Sequence, residues 1–458
     1  MLADQQLAKE SGPIRLASVQ ARLTQCYYLL TQSRVNHCWR TFGTVSQLAL
    51  AVGLNRSTRT GLTNIEIECR RRTFWCAYTL DVHLSVVLGR PQLFHDEDID
   101  TEYPADVEDE RLGDTQSATS STPFGFSTML APLAHIRFVP LTFRFMECSN
   151  LHSLARIVKS ILRQLYPLKP ITGARRHALT AEIARSLTDW RANLNTFLDS
   201  ENFNASLFLP IVQRQRNVLN LTYWHAIILT HRPFLLNNSS GDRPARGSVD
   251  DTLSDEEAQT EQSVQQCLDS AMNTVRVINQ MTQSRQMYRA FWIAAYFAFT
   301  ASIVLYLYAI QKRSGPPEVY SQYLSAAIQC QAQISSIAEE GSLLDRYRHL
   351  LEELRLEAVR QTDSEHFSGF DSAVFTSQDG PRTETAPNTD VSGQFGQNFA
   401  ADAMLHATVS PNATIPDLAS EFADWDQFAS MVSSGLGNLD AFLSEYHFGQ
   451  MDEFLPVQ

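Results

Sequence analysis

Residues able to do chemistry are sparse in this chain of 458 amino acids, and the densest group is acidic. His95-Asp96-Glu97-Asp98-Ile99-Asp100 puts Asp96, Asp98 and Asp100 at the first three ligand positions of a calcium-binding loop. The sixth position is then Thr101, where the turn needs glycine, and the last is Val107, where a bidentate glutamate belongs. A solvated acidic loop is the better expectation. Arg70-Arg71-Arg72 could grip a phosphate backbone, yet Glu66 and Glu68 stand four residues before Arg70 and Arg72, with the acid on the favourable N-terminal side. A salt-bridged helix face is therefore expected. The seven cysteines are Cys26, Cys38, Cys69, Cys76, Cys148, Cys267 and Cys330. Their odd number, wide spacing and the absence of a readable secretory signal point to reduced thiols, and without any C-x2-C pair no zinc site can be assembled from local ligands. The sequon Asn55-Arg56-Ser57 has no meaning without a secretory route. His83 and His225 lie in apolar stretches and read as ordinary core or surface imidazoles. No G-x-S-x-G, phosphate-cradling loop, dinucleotide fingerprint or H-E-x-x-H occurs, so no catalytic or metal-binding residue is assigned and the chain is not expected to be an enzyme.

The elements that carry these residues are helical. Apolar residues recur at helical spacing through the first 360 residues, with no convincing alternating strand. The pattern predicts helices over 14–32, 37–54, 64–88, 141–166, 175–199, 210–231, 261–283, 288–312, 317–339 and 342–361. That makes an all-α fold, one large irregular helical bundle over 1–360. Loops at 105–128, Ser/Thr-rich over 113–123, and at 237–260 are expected to be disordered. In the third helix Asn64 is the expected N-cap, and Phe74, Trp75, Tyr78, Val82, Val86 and Val87 make it a core helix. Gly89 supplies the left-handed exit and Pro91 forbids continuation. Asp81, set among Leu80, Val82 and Leu84, needs a partner if buried, and Arg90 is the expected one. Residues 291–310, FWIAAYFAFTASIVLYLYAI, carry no charge and are long enough to span a bilayer. Thr300, Ser302 and the tyrosines dilute that apolarity, and the amphipathic helices around the segment need an apolar centre to enclose. A buried core helix, and no membrane partner, is expected.

Charge divides the chain in two. From 361 onward there are 15 acids and one base, Arg382, whereas the first 360 residues hold 35 acids and 36 bases. The near-neutral body offers no overall footprint for a phosphate backbone. The tail, 361–458, alternates acids with bulky apolar residues, as an amphipathic, disordered activation domain does. Carboxylate repulsion keeps the aromatics solvated until a groove on a partner captures them as a helix forms. Phe422, Trp425 and Phe428, and Phe442, Leu443 and Tyr446, have helical spacing and are the expected coactivator-binding residues.

Residues 69–104, CRRRTFWCAYTLDVHLSVVLGRPQLFHDEDIDTEYP, resemble the signature of the fungal-specific transcription-factor regulatory domain, the middle homology region of zinc-cluster activators. The elements that carry the resemblance are Arg71-Arg72, Phe74-Trp75, Tyr78, Asp81, Gly89-Arg90-Pro91, Asp98-Ile99-Asp100 and Pro104. Ala49-Leu50-Ala51-Val52-Gly53-Leu54 is similar to the helix end that precedes it in the family, and His231-Arg232-Pro233-Phe234-Leu235 to a later helix exit. The resemblance runs from about residue 14 to 350. It implies a nuclear regulator of RNA polymerase II transcription whose helical domain controls its own protein and whose acidic tail recruits coactivators. The family's six-cysteine, two-zinc DNA-binding cluster has no counterpart here, so zinc is expected only for that missing module. Promoter DNA is expected as a direct partner only if a cluster is supplied elsewhere, and a homodimer is compatible with the resemblance. Either the chain is an incomplete product of a longer activator gene, or it works through partners without touching DNA. The alternative is a helical metabolite-sensing or partner-binding protein without direct DNA binding, its pocket among the aromatic helices at 66–88 and 288–312.

Overall fold

The computed structural model describes residues 5–7, 9, 12–57, 61–109, 112, 127–137, 153–167, 169, 171–199, 210–288, 290–312 and 315–359, apart from 238–250. Among the described residues there are twelve α-helices and no strand. They are α1 (Leu16–Thr31), α2 (Val35–Val52), α3 (Asn64–Leu88), α4 (Leu130–Ile136), α5 (Leu154–Leu165), α6 (Gly173–Asn193), α7 (Asn195–Leu198), α8 (Pro210–Asn237), α9 (Asp251–Gln283), α10 (Trp292–Lys312), α11 (Ser321–Ile337) and α12 (Leu343–Val359). The hairpin α1–α2 packs on α3, and α3 touches α4 and α5. From there α5 leads through α6 to the long pair α8–α9, and α10 is enclosed by α8, α9, α11 and α12.

The helix long and apolar enough to cross a membrane is α10, and every residue from Trp292 to Ile310 is buried inside the bundle. Phe299 stacks on Tyr347 of α12, with centroids 3.9 Å apart and planes 8° apart. A buried ring of this kind is worth roughly 3–5 kcal/mol to a core. The segment read as a core helix is thus the bundle's central element.

Local chemistry sets the ends of α2 and α3. Gly53 closes α2 at φ 69°, and the Leu54 N–H reaches back to the Ala49 carbonyl at 2.9 Å. α3 starts from Thr63, not from Asn64. The Thr63 N–H meets Glu66 at 2.8 Å, while the Glu66 N–H meets the Thr63 hydroxyl at 3.3 Å. This reciprocal capping box satisfies two end donors at once, and Asn64 offers nothing equivalent. Gly89 ends α3 in the left-handed region at φ 61°.

Several boundaries differ from the sequence expectation: α5 begins at Leu154, where the Ser153 hydroxyl caps it and a helix from 141 was expected, and the helix expected over 175–199 is broken at Leu194 into α6 and α7. α9 begins at Asp251, so 251–260 is helical where a disordered loop was expected. Its acids suit a helix N-terminus, whose dipole favours negative charge, and polarity alone resembles disorder. α4 is a short apolar helix in a stretch where none was expected. α8 continues through Pro233 to Asn237 and does not exit at 231–235. Proline removes the hydrogen bond to the carbonyl four residues earlier, and the Tyr166 hydroxyl donates to that Leu229 carbonyl at 2.6 Å. The expected tail, 361–458, the loop over 238–250 and most of 110–126 lie outside the described residues.

Candidate functional site

The signature 69–104 folds as a clasp. After Gly89 the chain turns back and runs along α3 from its C-terminal end toward its N-terminal end, and α3 side chains hold the returning strap at successive points. Asp81, 3% exposed, accepts the Leu93 N–H at 3.0 and 3.1 Å and the Phe94 N–H at 2.9 Å. One turn earlier, the Tyr78 hydroxyl donates to Asp96 at 2.8 Å. Trp75 then donates its indole N–H to the Glu102 carbonyl at 3.0 Å and stacks on Tyr103, centroids 4.6 Å apart. Glu68, 5% exposed, accepts the Ala105 N–H at 3.0 Å. Arg72 donates to the Val107 carbonyl at 2.7 Å and pairs with Asp109, and Arg71 pairs with Glu102. As positions fall from 81 through 78 and 75 to 68, strap positions rise from 93 through 96 and 102 to 105. The residue types and their spacing are those of a helix that must satisfy an extended backbone at its side.

The clasp has an apolar pin and an electrostatic one. Phe94 is buried edge-on to Phe74 at 5.3 Å and to Phe42 of α2 at 6.2 Å, which locks the strap into the core between α2 and α3. Lys159 of α5 donates to Asp96 at 2.9 Å and to the Phe94 carbonyl at 3.1 Å. Burial alone would raise the Asp96 carboxyl, but Lys159 and Tyr78 hold it below the usual carboxylate range. Burial pushes the Asp81 carboxyl up, opposed by the two N–H groups it accepts.

Several expected partners are replaced. Arg90 does not pair with Asp81. It donates to the Asn36 side chain at 2.6 Å and lies 4.6 Å over the Trp39 ring. Backbone N–H groups reach a buried carboxylate without bringing a second charge into the interior, so they are the less costly partners. Glu68 and Arg72 form their expected pair at 2.7 Å, whereas Glu66 is used in the cap. Arg70 instead donates to the Val52 and Gly53 carbonyls at the end of α2. The acidic run is pinned by Asn55. The Asn55 amide donates to the Asp98 carbonyl at 2.7 Å, and its own carbonyl receives the Asp100 and Thr101 N–H groups. Asp100 also accepts the Ser57 N–H at 2.9 Å. Pro91 is exposed and Pro104 is buried. Asn55 and Lys159 were not singled out from sequence, because a loop amide and a lone lysine carry no pattern of their own.

Among the described residues no three His, Cys, Asp or Glu side chains converge as metal ligands, and the six described thiols are free. Phe422, Trp425, Phe428, Phe442, Leu443 and Tyr446 lie outside the described residues.

Fold and clasp together define an all-helical domain in which α3 holds a returning strap beside a bundle centred on α10. The family model described as fungal specific transcription factor domain matches residues 5–192, which include the whole clasp. Activator of stress genes 1 of Saccharomyces cerevisiae is 26% identical over 301 residues, 65% of this chain and 28% of the relative. Transcriptional activator protein acu-15 of Neurospora crassa is 27% identical over 198 residues, 42% of this chain and 19% of the relative. The ABC-transporter-regulating transcription factor of Aspergillus fumigatus is 24% identical over 220 residues, 47% and 22%. The chain thus spans well under half the length of these curated relatives. No solved structure matches it.

Proposed function

We propose that the chain regulates RNA polymerase II transcription in a fungal nucleus, its helical body acting as the regulatory module and its acidic tail recruiting coactivators. The observation that carries this reading is the joining of a fungal transcription factor domain over 5–192 to a segment with 15 acids, one base and helically spaced aromatics. The relatives' printed names, activators and transcription factors, support it. Phe422, Trp425 and Phe428, with Phe442, Leu443 and Tyr446, would enter a hydrophobic groove on the coactivator as a helix forms. Promoter DNA would be reached directly only through a zinc cluster supplied elsewhere, and a homodimer is compatible with this reading. The test fuses residues 361–458 to an unrelated DNA-binding domain and measures a reporter. Activation that falls to background when Phe422, Trp425 and Phe428 become alanine supports the proposal; absence of activation in the unmutated fusion contradicts it.

A further inference from the structure

Cys26 and Cys38 meet across the α1–α2 hairpin, twelve positions apart in sequence and both 0% exposed. Cys26 shares the buried side of α1 with Val19, Leu23 and Leu30, and Cys38 that of α2 with Val35, Phe42 and Val45. The Cys26 thiol donates to the Cys38 carbonyl at 3.8 Å. A second hydrogen bond joins the two thiols themselves. The Cys26 proton is already spent on the carbonyl, so the S–H between the sulfurs belongs to Cys38.

Packing alone asks only for a small apolar residue at each position and has no need of two sulfurs in contact. Other thiols of the chain have different neighbours. Cys330 donates to the Ala298 carbonyl at 3.7 Å, and the exposed Cys76 lies 3.3 Å from the Tyr27 hydroxyl. The bond to Cys26, together with burial, pushes the Cys38 thiol up and keeps it protonated. Cys26 is the sulfur that receives a hydrogen bond from its neighbour, which stabilises it as a nucleophile. A disulfide asks the pair only to move from hydrogen-bond contact to a separation of about 2 Å.

We propose that Cys26 and Cys38 are an oxidation site, closing to an intrachain disulfide between α1 and α2 when the chain meets hydrogen peroxide. The Cys26 sulfur attacks one peroxide oxygen and the O–O bond breaks. Cys26 becomes a sulfenic acid, and the other oxygen leaves as water with the thiol proton. The Cys38 sulfur then attacks that of Cys26, the S–O bond breaks, and the hydroxyl leaves as a second water with the Cys38 proton. Two thiols are oxidised and one peroxide is reduced. Peroxide is small and uncharged, so brief opening at the turn end of the hairpin admits it, while burial keeps the pair closed to bulkier oxidants. The site goes beyond the regulator reading and does not rest on it, since its readout is covalent mass.

The experiment exposes the reduced, folded full chain to hydrogen peroxide, blocks every remaining thiol with iodoacetamide in denaturant, and maps the tryptic peptides by mass. Trypsin separates Cys26, in 23–34, from Cys38, in 35–40. The expected product is a linked pair of these peptides, lighter than the two reduced peptides by two hydrogens and absent after dithiothreitol. It persists in Cys76→Ser. It is lost in Cys38→Ser, where dimedone instead captures a sulfenic acid on Cys26. If Cys38→Ser does not fold, Cys38→Ala takes its place, and the wild-type map needs no variant. Full alkylation of both thiols after peroxide, a link from either one to Cys76, or linkage only in chains unfolded beforehand by urea overturns the proposal.

Discussion

Replacing Asp81 by alanine removes the acceptor of two N–H groups in a site 3% exposed to solvent. Each hydrogen bond to a charged acceptor contributes about 1.5–3 kcal/mol, and each abandoned donor retains its desolvation penalty of about 1–3 kcal/mol. Part of this is returned, because the substitution also relieves the cost of keeping a carboxylate in the interior. The net loss for Asp81→Ala comes to about 2–4 kcal/mol. For a body of this size that lowers the melting temperature by roughly 3–5 °C. Arg90→Ala is the informative contrast. It removes an exposed hydrogen bond to Asn36 and a cation–π contact with Trp39, together about 1 kcal/mol. The assay is thermal unfolding of the two variants side by side by circular dichroism. A drop below about 1 °C for Asp81→Ala, or a larger drop for Arg90→Ala, would refute the reasoning that backbone amides, not Arg90, are the partners of Asp81.

The same accounting extends to α8 and to the buried imidazoles. Tyr166→Phe strips partners from the Leu229 carbonyl and the Arg232 Nε and is expected to cost about 2–4 kcal/mol; adding Pro233→Ala restores an N–H toward Leu229 and recovers part of it, which a denaturant double-mutant cycle measures. His135 lies 5.1 Å from His83, and burial, reinforced by His83, pulls its pKa from the ordinary 6.5 down to about 3. A base depressed in the folded state contributes stability that is complete above the unfolded pKa and is lost as pH falls from 6.5 toward 3, roughly 2 kcal/mol of it by pH 5. His135→Phe should therefore flatten the stability profile between pH 7 and 5, and an unchanged slope would exclude His135 as its source. Trp75→Phe keeps most of the apolar surface but loses the bond to the Glu102 carbonyl, for about 1 kcal/mol by chemical unfolding.

Much of the scaffold was legible because it rests on patterns with a fixed period or a fixed cap. The uncharged run that becomes α10 and the Gly89-Arg90-Pro91 exit of α3 were both readable, and the structure places a buried helix and a left-handed glycine there. Asp81 could be recognised as a buried carboxylate in need of a partner, but a backbone N–H has no letter in a sequence, so a side chain was the natural and mistaken choice. Pro233 misled for the same reason. Its helix-breaking effect is local, whereas the Tyr166 hydroxyl that offsets it is 67 residues away. The Glu66 to Arg70 pairing failed because two better local uses competed for those residues, a cap and the end of α2.

The α3 side chains hold the strap, each at its own amide. Hydrogen exchange on the wild type, Asp81→Ala and Glu68→Ala tests this most directly. Leu93, Phe94 and Ala105 should be protected in the wild type. Protection should then fall mainly at Leu93 and Phe94 in Asp81→Ala, and mainly at Ala105 in Glu68→Ala. Amides that are unprotected in the wild type, or equally protected in all three proteins, would contradict the clasp.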